Sequence, residues 1–97
     1  LVVPQRHIIS YFELNSSEHQ NLLPFLERQK NKILSEDPTV TAFNIGINDG
    51  PDAGRSVNHL HIHLIPRRPG DIENPQGGVR GVIPSKQKYV KKVRLKK

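Results

Sequence analysis

The segment His59-Leu60-His61-Ile62-His63-Leu64-Ile65 sets three imidazoles at alternate positions, separated by large aliphatic residues. On an extended strand successive side chains point to opposite faces, so the three histidines share one face and Leu60, Ile62 and Leu64 share the other. Alternate residues stand about 6.6 Å apart along a strand, so the rings would line one side of a groove with groups that titrate near neutrality. Three chemistries fit that pattern. The histidines can be structural, tolerated at a wet sheet edge. They can chelate a metal, because neutral imidazole is the commonest metal ligand and His-x-His on a strand offers two donors. A chelate needs a third or fourth ligand, however, and no Asp or Glu lies between Asp52 and Asp71, nor does the chain contain Cys. The third chemistry is nucleophilic: a ring nitrogen attacks an electrophilic phosphorus, and the phosphoramidate so formed is later hydrolysed. That attacker must be neutral. An ordinary imidazole, with a pKa of about 6.5, is about three-quarters neutral at pH 7. Its second nitrogen must be held protonated by an acceptor to fix the tautomer. Small polar residues of the preceding loop can supply further donors.

Such a strand needs a sheet and a cover for its apolar side. Val2 to Ile9 is β-branched and apolar, interrupted by Pro4, and reads as the end of a strand followed by a bend. A helix is predicted from about Ser16 to Leu34. Asn15 caps it, Glu18 stands in capping-box relation, and Leu22, Leu23, Leu26, Ile33 and Leu34 form the apolar stripe. Pro24 lies in its interior and is expected to kink or divide it. Asp37-Pro38 ends the helix, and Val40 to Ile47 places Phe43, Ile45 and Ile47 at the alternate positions of a half-buried strand. The turn-rich run Asn48 to Gly54 then leads to a strand from about Ser56 to Ile65, closed by Pro66. Together these make an antiparallel hairpin with a loop of about seven residues. From 67 to 85 prolines and glycines predict an ordered but irregular loop. The fold class is α+β: an antiparallel sheet with one principal helix packed on one face.

The chain's 97 residues make one domain, residues 1–85, followed by a basic tail, 86–97. The net charge of +6 suggests nucleic acid until it is located. Seven of the fifteen basic residues lie in the last twelve positions, and up to Ser85 the formal charge is −1. The body is thus nearly neutral, the tail reads as solvated, and nucleic acid is not the expected partner. Absence of Cys points to a reducing, cytoplasmic compartment, and no apolar run is long enough to cross a bilayer. Without a Met, Leu1-Val2-Val3 reads as a strand entered halfway, and the expectation is that sequence precedes Leu1. Gly50 to Ser56 fails as a phosphate-binding P-loop. Its glycines are separated by three residues rather than four, Arg55 stands for Lys, and a strand follows. Its backbone N–H groups remain candidate phosphate donors. Gly77 to Gly81 carries one arginine and reads as a loop, not an RNA-binding fragment. Arg67 and Arg68 are candidate bidentate phosphate donors, with at least one of them expected in solvent.

The histidine segment resembles the His-φ-His-φ-His-φ-φ signature, φ being apolar, of the histidine triad (HIT) superfamily of nucleotide hydrolases and transferases. Asn48 to Gly54 with Arg55-Ser56-Val57-Asn58 resembles the loop and strand start before the triad. Leu1 to His7 resembles an earlier strand ending, Ser10 to Leu14 the approach to the helix, and Pro66 to Asp71 with Asn74-Pro75 and Gly77 to Arg80 the continuation in bacterial and archaeal members. The resemblance implies a HIT-like sheet and a homodimer with a sheet continuous across two protomers. It makes His61 the nucleophile that takes up the nucleotidyl group. His63 would contact phosphate and assist the leaving group. His59 would join the supporting network, its carbonyl a candidate acceptor for the buried nitrogen of His61. Asn48 and Ser56 would hold the α-phosphate or bridging oxygen. The family's further tract, ending in another histidine, and its upstream strands around base and ribose have no counterpart before Leu1. The implied substrate is an adenine nucleotide conjugate, a dinucleoside polyphosphate first and a nucleoside phosphoramidate second. No cofactor is required, though Mg²⁺ can accompany a polyphosphate. A catalytically weak nucleotide-binding module is the alternative.

Overall fold

The computed structural model describes residues 1–88 and 95; the tail segment expected to be solvated lies largely outside the described residues. One helix, α1 (Ser16–Glu36), and two strands, β1 (Ala42–Gly46) and β2 (His63–Arg67), are joined by 3₁₀ turns and extended segments in an α+β arrangement. Helix α1 begins as its sequence dictates. Asn15 Oδ1 accepts from the Glu18 N–H at 2.8 Å, and Glu18 Oε1 accepts from the Asn15 N–H at 2.9 Å. This capping box satisfies two donors that would otherwise be orphaned. Ahead of it, Ser10 and Glu13 build a second capping box around the 3₁₀ turn Tyr11–Glu13.

Contrary to expectation, Pro24 neither divides nor ends the helix, which is continuous to Glu36. Both Pro24 and Gln20, whose carbonyl loses its partner, are exposed, so water can take that bond. The inward stripe is also narrower than expected. Leu22, Leu26 and Ile33 are half-buried, whereas Leu23 is 63% exposed and Leu34 lies on the outside with it.

The core gathers Val2, Ile8, Leu60 and Ile62, with Tyr11, Leu14, Leu22, Leu26 and Ile47 packed against it. Leu60 is the most deeply buried large side chain, 2% exposed. β1 and β2 pair antiparallel, Ala42 opposite Arg67 and Gly46 opposite His63. Here the expected hairpin needs correction. β1 is shorter than Val40 to Ile47, and β2 starts at His63 instead of Ser56. It also runs through Pro66, which sits opposite Phe43, to Arg67, whose carbonyl accepts from the Thr41 N–H at 2.9 Å. A strand with a free side tolerates a residue without an N–H.

The connection is therefore longer than seven residues, because the histidine stretch changes neighbour along its length. Ile62 exchanges two backbone hydrogen bonds with Val2, at 2.9 and 2.8 Å, and the Leu60 N–H donates to the Ile8 carbonyl at 2.7 Å. Only from His63 onward does the chain pair with β1. Ile45, expected to be half-buried, is 55% exposed because α1 contacts β2 and not β1.

Candidate active site

The alternation read from the sequence is realised in space. Leu60 and Ile62 are buried in the core, and the His61 and His63 rings meet edge to face, with centroids 5.1 Å apart. His61 Nδ1 lies 2.9 Å from the His59 carbonyl oxygen. A carbonyl only accepts, so Nδ1 carries the proton, and the neutral ring keeps its lone pair on Nε2. His59 Nε2 in turn donates to the Pro4 carbonyl at 3.1 Å. His63 Nε2 is buried without a hydrogen-bond partner, as is the Nε of Arg55; no other buried side-chain nitrogen or oxygen is left so among the described residues. An unpaired buried donor or acceptor is costly, and one placed beside a cleft is ready for a ligand.

That cleft, of about 900 Å³, runs along β1 and the start of β2. Asn48 and His63 line it, along with Asn44, Ile65 and the apolar residues Val79 and Val82. His59, His61 and Ser56 are not part of its lining. The structure thus brings His61 to His63 and His63 to the cleft of Asn48, and leaves Ser56 exposed and outside the cleft lining.

The loop before the histidines is a compact 3₁₀ turn, Pro51–Ala53, flanked by Gly50 and Gly54 at positive φ. A β-carbon at Gly54 would stand 3.7 Å from the Asn48 amide nitrogen, close enough to confine it. Three of the backbone N–H groups expected to face phosphate are occupied within the loop. Those of Ala53 and Arg55 donate to the Gly50 carbonyl, and that of Gly54 to Pro51. Arg67 and Arg68 are likewise committed. Arg67 grips Asp71 through two bonds of 2.8 Å and reaches Asn44 Oδ1 at 2.6 Å. Arg68, exposed as expected for one of the pair, donates to Asp37 and Thr39. The Arg67 guanidinium, with the Arg68 N–H, holds the Asp71 carboxyl well below the usual carboxylate range. Hydrogen bonds from Thr39 and Arg68 lower that of Asp37 to about 2.

Sequence reasoning passed over two residues. The sequence offers Arg55 as a poor P-loop lysine and as part of the loop before the triad, but its unpaired Nε shows in no spacing. It offers His7 as part of a strand ending, yet the His7 Nε2 donates to the Asn58 carbonyl at 2.7 Å and the ring packs on that of His59. Among the described residues, no three His, Asp or Glu side chains converge as a ligand set for a metal ion. Nor is any described helix long and apolar enough to cross a membrane.

A family model described as the HIT domain matches residues 1–70. The chain belongs to the HIT domain family. This HIT domain is 39% identical over 72 residues to the bis(5'-nucleosyl)-tetraphosphatase (asymmetrical) of Schizosaccharomyces pombe, a match covering 74% of this chain and 39% of the relative. The crystal structure of the Caenorhabditis elegans NitFhit protein superposes with a TM-score of 0.65 at 30% identity, over 82% of this chain and 19% of that one. A zinc-bound histidine triad family protein from Mycobacterium smegmatis gives a TM-score of 0.61 at 28% identity, over 71% and 50%. The chain therefore spans half or less of the length of each of these three relatives.

Proposed function

We propose that the protein is a nucleotide hydrolase or nucleotidyl transferase acting at the α-phosphate, with a dinucleoside polyphosphate as its substrate. The observation that carries this is the His61 Nδ1 hydrogen bond to the His59 carbonyl, which leaves Nε2 as the nucleophilic atom beside His63. His61 Nε2 forms a bond to the α-phosphorus, and the bond from phosphorus to the bridging oxygen breaks, sending its electron pair out with the rest of the molecule, a nucleoside polyphosphate. His63, through its unpartnered Nε2, hydrogen-bonds the departing oxygen. Water then attacks phosphorus, the N–P bond breaks, and the water's proton passes to solvent, restoring His61. Asn48 faces the phosphates from the cleft wall, and Ser56 contributes its hydroxyl if the loop closes on substrate. The tetraphosphatase activity named for the S. pombe relative supports the polyphosphate, with a nucleoside phosphoramidate as the second substrate class.

No bound metal enters the step, and Mg²⁺ serves only to accompany the polyphosphate. A homodimer with a continuous sheet, in a reducing cytoplasm, belongs to the same proposal. It is supported by β1, which pairs with β2 alone among the described residues. Incubation with diadenosine tetraphosphate and rapid acid-free quenching should leave one adenylyl group on His61, detected by mass spectrometry. His61→Asn should keep nucleotide affinity and lose both adduct and turnover. The weak binding module is favoured by the absence of His61 from the cleft lining. Nucleotide bound with no adduct at any time point would establish it and remove the enzyme.

A further inference from the structure

Of the five histidines, the proposed chemistry uses three; His19 lies on the exposed side of α1, and His7 stands at the seam between the first segment and the triad. Two hydrogen bonds cross that seam in opposite senses. His7 Nε2 donates from the first segment to the Asn58 carbonyl at 2.7 Å, while His59 Nε2 donates from the triad segment to the Pro4 carbonyl at 3.1 Å. The two rings meet edge to face at 5.1 Å with an interplanar angle of 81°.

The location matters. Backbone pairing between the two segments is anchored at Val2 with Ile62 and at Ile8 with Leu60, and Pro4, which has no N–H, falls between those anchors. On the triad side Asn58 and His59 lie just ahead of the Leu60 anchor, and among the described residues the hydrogen bonds that tie them to the first segment are those of His7 and His59. The peptide that follows supplies the His59 carbonyl, the acceptor for His61 Nδ1, and its Leu60 N–H is held by Ile8.

We propose that His7 is a positioning residue. With His59 it forms a reciprocal latch that fixes the backbone leading into the His59 carbonyl and thereby sets the tautomer and aim of His61 Nε2. The latch rests on the nucleophilic reading of His61, and its first readout does not depend on activity. In the ligand-free full chain, ¹⁵N chemical shifts of His61 should show the Nδ1–H tautomer dominant. In His7→Ala the Nε2–H tautomer should rise. In His7→Gln, whose amide still donates to Asn58, the wild-type balance should return. The same series should lower kcat about ten- to a hundredfold in His7→Ala with little change in KM, a displacement effect on the attacking group, and recover in His7→Gln. His7→Phe keeps the ring contact without the donor and should behave like His7→Ala.

An unchanged His61 tautomer in folded His7→Phe or His7→Ala, even with a lowered melting temperature, would overturn the latch and leave His7 a packing residue. A tautomer that responds while wild-type enzyme forms no adduct would retain the latch and refute the nucleotidyl chemistry. Should His7→Ala not fold, His7→Gln and His7→Phe decide the matter between them.

Discussion

The two sides of the site are held by different physics. On the triad side, Leu60 and Ile62 are buried in the core and the histidines donate to backbone carbonyls at fixed geometry. On the far side, the wall from Arg67 to Lys88 has little apolar burial. Arg67 with Asp71, Arg68 with Asp37, and a clamp in which the Gln87 amide donates to the Asn74 and Gln76 carbonyls at 3.2 and 2.6 Å hold it together. Apolar burial and neutral hydrogen bonds are insensitive to salt and moderate acid, whereas exposed ion pairs respond to both. The difference predicts a rigid triad segment and a wall that conditions can loosen.

The sharpest break in this comparison is at the nucleophile. His61→Asn should lower turnover by about 10⁴-fold or more with an unchanged denaturation midpoint, because it removes the bonding atom and no core contact. His63→Ala should cost about 10²–10⁴ in rate if the ring assists the leaving group; a loss under tenfold would remove that role. Leu60→Ala acts on the same side through packing and should destabilise by about 2–5 kcal/mol in urea unfolding, taking activity with it. On the wall, Gly77→Ala should cost more than about 1 kcal/mol. The residue adopts φ of +91° and a β-carbon there would collide with the Gln87 carbonyl. Its mark should be faster amide exchange from Gly78 to Gln87 with the Leu60 and Ile62 amides still protected.

Acid gives the mildest test. Asp37 falls from an ordinary 3.8 to about 2 on folding. Its contribution is therefore complete above about pH 4 and vanishes as pH falls through about 2; Asp71 shifts in the same direction. Amide exchange in the wall should rise over that acid range before the triad strand loses protection. Simultaneous loss in both regions would show that the division between them is wrong.

What the sequence made legible was local. Asn15 with Glu18 marks the helix start because a capping box needs only three residues' separation, and the histidine alternation survives because burial of Leu60 and Ile62 enforces it. The second capping box, Ser10 with Glu13, was equally present in the letters but encloses a turn too short to announce itself by periodicity. The change of neighbour at Ile62 was not legible. Nothing in a run of alternating residues says which strand will lie beside each half, and that choice depends on where Val2 and Phe43 arrive in three dimensions. Pro66 misled for a related reason: its missing N–H matters only if a partner needs it. The candidate site divides the same way. His61 and His63 come together through one strand's pitch, Asn48 joins them through a loop, and Ser56 stays outside because residues 57–59 bend instead of extending.

The partner exchange between Ile62 and His63 has a mechanical corollary. The His61 ring sits beside the part of the strand held by the amino-terminal segment and the His63 ring on the part held by the hairpin, so the 5.1 Å between them spans the point at which the strand changes partner. The spacing of the two rings is therefore set by both neighbours of one strand at once, and it answers to a change in either.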